Sequence, residues 1–339
     1  MGKDFLRLVF PALVVFLVLG VRPVSAFELG KVTEVVNSAS GVVQSVQQVG
    51  DIYKPMDPQA EFEMGRDVTA ELFKTYPPLE IESDNQYLNL LGTYLAGFAR
   101  DPRPLQGYSF QLVNSKQPNA FSAPGGFILV SHGMVEFLLN EDELAAVLAH
   151  EIAHISLGHG VSAVKTSQLT RTGMQLGKNF LAAEAAKNSA VAAVVSSEIT
   201  ESVGSMVTML VEKGYSRHQE YEADEEGAMI LYRAGYNPHA MLSLLKRLGG
   251  EDSGGADLGS LLDGVQRSHP SGEERKARLA EIIDRLGVKP GTTMARSQRM
   301  RHETAQLKAG NLRPDTTKFT EAEKMMLYPP YSTGEIGFQ

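Results

Sequence analysis

The sequence predicts a predominantly helical α+β domain, and three observations carry that reading. A well-capped amphipathic helix begins after Asn140. A short β-rich region with turn chemistry lies just before it, between Tyr108 and Ser131. Most of the remaining apolar pattern recurs at helical spacing. The 339 residues suffice for one large domain or two smaller ones, and 43% hydrophobic residues can bury a substantial core. Forty acidic against thirty-two basic residues give a net charge of −8. No long basic run occurs, which argues against a nucleic-acid partner. Cysteine is absent, so no disulfide forms and any zinc must be held by histidine and carboxylate.

Residues 1–26 read as an export signal. Lys3 and Arg7 precede an apolar run from Leu8 to Val21, and Val24-Ser-Ala26 ends in small residues suited to cleavage. The run is short for a membrane span, which needs ~20 residues. Removing it loses Lys3, Arg7 and Arg22 against Asp4 and takes the net charge from −8 to −10. Residues 27–56 are polar with scattered valines and form a leader segment.

Pro58 to Thr75 predicts a helix with Phe62, Val68, Leu72 and Phe73 on one stripe, stopped by Pro77-Pro78. A second helix is expected with Asp84 as cap, Tyr87, Leu88, Leu91, Leu95 and Phe98 facing inward, and Asp101-Pro102 closing it. Tyr108 to Val113 and Phe127 to Ser131 read as strands. Asn119-Ala120-Phe121-Ser122 leads into the turn Pro124-Gly125-Gly126. The strand before the next helix is read two ways. It forms the rim of a cleft and pairs with an extended peptide, or it belongs to an ordinary small sheet under the helix.

The helix after Asn140 carries the chemistry. Asn140 is a good N-cap, with Glu143 at the capping-box position, and Leu144, Val147 and Leu148 recur at helical spacing. His150 and His154 leave the same face one turn apart, as two ligands of one tetrahedral zinc require. Glu151 projects roughly 100° around from His150, where it can take a proton from water beside the metal. The alternative is a pair of histidines half buried on a core helix. Gly158 and Gly160 end this helix. Val161 to Val211 is alanine-rich and reads as two or three helices forming a cap, with Met206, Met209 and Leu210 as core.

Ser216 caps a further helix with Gln219 at the box position. Glu220 near its start can complete a His₂Glu set, and Asp224, one turn on, can accept the free ring N–H of a liganding histidine. Glu222 and His218 read as a solvated face. Asn237-Pro238 starts another helix that Gly249-Gly250 stops, and Glu251 to Gly264 reads as a glycine-rich, acidic mobile connection, with a cover over the cleft as the alternative. His269 precedes Pro270, with Ser271 capping the next helix. It can donate to a developing oxyanion or occupy the open metal position at rest; a solvent-facing loop histidine is the alternative. Arg275 and Arg278 read as helix-surface charges, with support of His269 at the site as the alternative. His132, His159, His239 and His302 receive no role. Residues 288–339 read as an appendage with one short helix near Glu321 to Leu327.

Taken together, four stretches resemble the zinc metallopeptidases that include the HtpX and CaaX-prenyl-protease groups, and especially their soluble exported bacterial members. They are Asn119-Ala-Phe…Pro124-Gly-Gly, Glu143-Leu-Ala…His150-Glu-Ile-Ala-His154, Ser216-Arg…Glu220-Tyr-Glu-Ala-Asp224 and Ser268-His-Pro-Ser271…Arg275. The resemblance implies a zincin-like domain over 57–287, with 161–211 as helical cap. It implies one Zn²⁺ on His150, His154 and Glu220, Glu151 as base, and Asp224 behind the ligands. It also implies a peptide lying along the Asn119 to Ser131 edge, with Asn119, Ala120, Phe121, Gly125 and Gly126 as its binding residues. The function it implies is zinc-dependent endopeptidase activity on peptides or unfolded proteins in periplasmic quality control, with peripheral-membrane or outer-membrane assembly partners. The chain lacks the several transmembrane helices of the membrane-embedded members and the helical-repeat domain of some exported ones. The competing reading is an envelope chaperone that cleaves little. A structural zinc domain fits less well, because structural sites close all four positions and favour cysteine.

Overall fold

A computed structural model of the chain describes residues 55–100, 104–168, 170, 198–249, 256–270, 272–291 and 294–308. The expected export signal, nearly all of the leader, the middle of the expected cap and the helix near Glu321 lie outside the described residues.

Helix α1 spans Pro58–Thr75, with Asp57 accepting from the Gln59 and Ala60 N–H groups and proline at the first helical position. Helix α2 spans Glu82–Ala96. Its expected cap, Asp84, lies inside the helix, buried, where its carboxylate accepts from the Leu307 N–H and the Ser83 hydroxyl. A carboxylate drawn to a partner over 200 residues away leaves no local sign of its role.

The sheet has three strands rather than the two expected: β1 (Ser109–Val113), β2 (Ala120–Ala123) and β3 (Phe127–Ser131), in the order β1-β3-β2. β3 pairs parallel with β1 and antiparallel with β2. It is therefore central, and the strand expected at a cleft rim has no open edge. β2 holds the edge instead. Its four residues are all buried and show no alternation, which is why the period-2 signal missed it. The turn Pro124–Gly126 joins β2 to β3, with Gly125 at φ 74° and Gly126 at φ 104°, conformations that need glycine. Side chains of β3 alternate between two cores, as a strand covered on both faces requires. Phe127 and Leu129 join a smaller core with Val68, Leu72 and Phe121, while Ile128 and Val130 face the main one.

After the short helix α3 (His132–Phe137), α4 spans Glu141–Ser156, and all sixteen residues are buried. A helix covered on every side is the middle of a core. Asn140 Oδ1 accepts from the Glu143 N–H at 3.0 Å, but the Glu143 carboxylate reaches back to the Leu139 N–H rather than closing a box on Asn140. Gly158 at φ 67° ends α4, and the chain turns at once into α5 (159–168), so Gly160 starts a helix rather than ending one.

Helix α6 (Glu198–Thr208) runs into a π-helical turn, Met209–Lys213, and buries Met206 and Leu210. Then follow α7 (Arg217–Arg233), α8 (His239–Leu248), α9 (Ala256–Ser268), α10 (Glu273–Leu286), α11 (Met294–Glu303) and α12 (Ala305–Lys308). The Ser216–Gln219 capping box is present in full. Most of the expected acidic loop is helical: α9 begins at Ala256 and packs Leu262 and Val265 into the core. α10 is capped by Gly272 without a side-chain bond; Ser271, its expected cap, lies outside the described residues. Met300 of α11 and Leu307 of α12 are also core, which carries the packed unit past residue 287 to Lys308.

Three consecutive acids at the start of α4 anchor these later helices. Glu141 accepts from Tyr87 and Tyr236 and pairs with Arg299 of α11; Asp142 pairs with Arg296 of α11 at 2.8 Å; Glu143 pairs with Arg247 of α8 at 2.6 Å. Burial pushes the Glu141 carboxyl up. The hydrogen bonds from Arg299, Tyr236 and Tyr87 outweigh burial and hold it below the ordinary 4.5. Such a carboxyl adds stability above its unfolded value that is lost as the pH falls through its lowered folded value. Arg299→Ala is predicted to cost about 1–2 kcal/mol near neutral pH, discounted because Arg299 is half exposed. In denaturant titrations the gap from wild type should close as the pH falls from the unfolded carboxyl value through the lowered folded one. A gap that stays constant into acid would contradict this role.

Candidate metal centre

α4 and α7 lie against each other where Gly227 has no side chain. A Cβ there would sit 3.4 Å from the Ala149 carbonyl carbon and the His150 Cα, and 2.7 Å from Met241 Cε. This approach brings Glu220, in the first turn of α7, to the face of α4 that carries His150 and His154. The loop after α9 adds His269. Gly214, at φ 69°, lets the π-helical turn run against the Ser268 carbonyl oxygen, where a Cβ would meet it at 2.3 Å.

Ligand atoms of four residues then face one another. His150 Nε2 lies 3.1 Å from His154 Nε2 and 3.3 Å from His269 Nδ1. Glu220 Oε1 lies 3.5 Å from His154 Nε2 and 3.1 Å from His269 Nδ1, and Glu220 Oε2 lies 3.6 Å from His150 Nε2. Bonds of ~2.0–2.1 Å to a tetrahedral zinc place ligand atoms about 3.3–3.4 Å apart. The observed separations scatter around that edge length, and the four residues together can hold a metal ion.

The electrostatics also favour a cation. Burial resists charge on His150, but hydrogen bonds to Asp224 and Glu220 outweigh it and push the imidazole up to about 10. Burial instead dominates at His154 and keeps it neutral. Burial opposes ionisation of Glu220, yet His269 and Arg275 hold its carboxyl well below the usual range. Two negative carboxylates thus favour positive charge at His150, while His154 beside it stays a neutral ring.

Around the donors, Asp224 Oδ1 lies 3.2 Å from His150 Nδ1. Arg275 was expected on a helix surface and is instead buried. It makes two 2.7 Å bonds to Asp224 and approaches Glu220 Oε2 at 2.6 Å. Its Nη1 also holds the Pro270 carbonyl at 3.1 Å, and Ser268 Oγ donates to Asn119 Oδ1 at 3.1 Å. These two bonds brace the His269 loop from both sides. Glu151 is buried. Its Oε1 lies 3.5 Å from His269 Nε2, and its Oε2 has no hydrogen-bond partner among the described residues. An unpaired buried carboxylate oxygen is costly and is characteristic of a functional site.

The expected substrate residues separate. Ala120 borders an apolar cavity of about 60 Å³ beside His150 and Glu151, lined also by Met134, Val147, Leu244, Leu245 and Val265. Asn119 braces the His269 loop. Phe121 packs into the smaller core against Tyr76, at a ring separation of 5.0 Å. Gly125 and Gly126 are packing residues: the Gly125 N–H donates to Glu61, and a Cβ on Gly126 would strike the Gly107 carbonyl oxygen at 2.1 Å. Two unassigned residues lie at the centre. Tyr215 stacks on His154 at 3.9 Å with its hydroxyl donating to the Ser122 carbonyl, and His159 Nδ1 lies 2.8 Å from His154 Nδ1. His159, five residues past His154 and just beyond the glycine that ends α4, was the readable signal. Tyr215 had none beyond preceding the cap of α7.

Peptidase family M48 matches residues 82–283. The chain is 30% identical over 220 residues to the β-barrel assembly-enhancing protease of Yersinia pestis, covering 63% of this chain and 40% of that protein. It is 28% identical over 190 residues to the protein of the same name from Escherichia coli K12, covering 56% and 37%. It is 27% identical over 184 residues to metalloprotease LoiP of Escherichia coli K12, covering 54% and 66%. The matched stretch spans about two fifths of the length of the first two relatives. With the family match covering more than half its length, the chain belongs to Peptidase family M48.

Proposed function

We propose that the chain is a zinc-dependent endopeptidase, with one Zn²⁺ on His150, His154 and Glu220. The observation that supports it most is the set of four residues whose ligand atoms lie within 4.8 Å of one another, beside a buried carboxylate with an unpaired oxygen. When bound, zinc supplies a Lewis acid that polarises a carbonyl and acidifies water. Glu151 receives the proton of the attacking water at Oε2 and passes it to the leaving amine. Asp224 holds His150 through Nδ1, and Arg275 balances the charge of Asp224 and Glu220. His269 Nδ1 would serve as the fourth donor to the ion, so a substrate carbonyl would reach it only with His269 withdrawn. The cavity beside Glu151 takes an aliphatic side chain next to the scissile bond.

The names of the relatives support a role in cell-envelope protein quality control, acting on unfolded or misassembled proteins near outer-membrane assembly. The signal-like residues 1–26 support export to the periplasm. Among the described residues no helix is long and apolar enough to cross a membrane.

Glu151→Gln is predicted to retain stoichiometric zinc and to lose hydrolysis of an unfolded protein by about 100-fold or more. Metal analysis and a casein-type assay measure the two. Turnover equal to wild type would remove Glu151 as the base. His269→Ala is predicted to raise hydrolysis in the same assay by vacating the corner. A fall in kcat would assign His269 to oxyanion stabilisation instead.

A further inference from the structure

We propose that His159, with Glu222 behind it, is a positioning residue that fixes the orientation and tautomer of His154. The inference rests on the metal reading above. His154 Nε2 faces the donor cluster, which leaves Nδ1 for one other partner. That partner is His159 Nδ1, at 2.8 Å, and both rings are buried. Two imidazole nitrogens at this distance share one proton, so one donates and the other accepts.

The far end of the chain decides which. His159 Nε2 faces Glu222 Oε2 at 3.4 Å. An ionised carboxylate only accepts, so His159 carries its proton on Nε2 and presents a bare Nδ1. His154 must then hold its proton on Nδ1, which leaves Nε2 unprotonated toward the cluster. This is the tautomer a metal requires. Tyr215, stacked on His154 with an interplanar angle of 15°, fixes the plane in which this bond is made. The His159 carbonyl accepts from Gln219 at 3.4 Å, which ties α5 to the start of α7.

The two histidine ligands are therefore held differently. His150 leans on a carboxylate, Asp224, at 3.2 Å. His154 leans on an imidazole whose carboxylate is one residue further out and half exposed. The positioning of His154 depends on a proton order that runs from α4 through α5 to the surface of α7.

The test is zinc affinity of the full chain by chelator competition, with thermal unfolding of the metal-free protein measured alongside. His159→Phe keeps the ring volume and removes the acceptor. It is expected to weaken zinc binding about 10–100-fold, with little change in metal-free unfolding. His159→Gln, whose carbonyl can accept from His154, is expected to recover part of the loss. Glu222→Gln is expected to cost less than His159→Phe. Zinc affinity of His159→Phe equal to wild type overturns the proposal while leaving the metal centre in place. A wild-type chain that takes up no zinc overturns both.

Discussion

The centre depends on how closely α7 can lie on α4. At Gly227 the facing surface is bare: a Cβ there would touch the Ala149 carbonyl carbon and the His150 Cα at 3.4 Å and press on Met241 Cε at 2.7 Å. Metal–ligand bonds tolerate shifts of only a few tenths of an ångström, so a bulkier side chain at this contact would disturb the donor geometry. The rest of the fold keeps α4 from moving. The sheet and α2 cover one side of it, and the acids of its first turn are gripped by arginines from α8 and α11. The histidines lie at the opposite end from those grips, so the helix is fixed at one terminus and presents chemistry at the other.

Charge at the centre is distributed rather than paired off. Asp224 serves both Arg275 and His150, and Glu220 serves Arg275 and the donor cluster. One guanidinium thus restrains two carboxylates that would otherwise repel each other, while leaving each an oxygen aimed at a histidine. Arg275 also holds the Pro270 carbonyl, so the charge balance of the ligands and the position of His269 are coupled through one side chain.

Local signals in the sequence were legible and distant ones were not. The bounds of α1, the Asn140 cap and the Ser216–Gln219 box depend on residues within one turn of each other, and each is present in the structure. So is the shared face of His150 and His154, because helix geometry alone sets it. Arg275 was misread because its burial is decided by Asp224, 51 residues earlier. Asp84 was misread because its partner lies in α12. β2 escaped because four buried residues have no alternation to detect, and with β2 missing the central place of β3 was hidden. Phe121, Gly125 and Gly126 were grouped with Asn119 and Ala120 as a continuous edge. In the structure Phe121 faces the smaller core, Ala120 borders the cavity beside His150, and the two glycines pack in the turn against Phe62 and Gly107.

The central claim is that His150, His154 and Glu220 bind one zinc ion, with His269 in the fourth position. X-ray absorption at the zinc edge of the purified, zinc-loaded chain tests it most directly. The account predicts four light-atom donors at ~2.0–2.1 Å, with multiple-scattering features of three imidazoles that fall to two in His269→Ala. A spectrum with one imidazole or none, or one unchanged by His269→Ala, would contradict it.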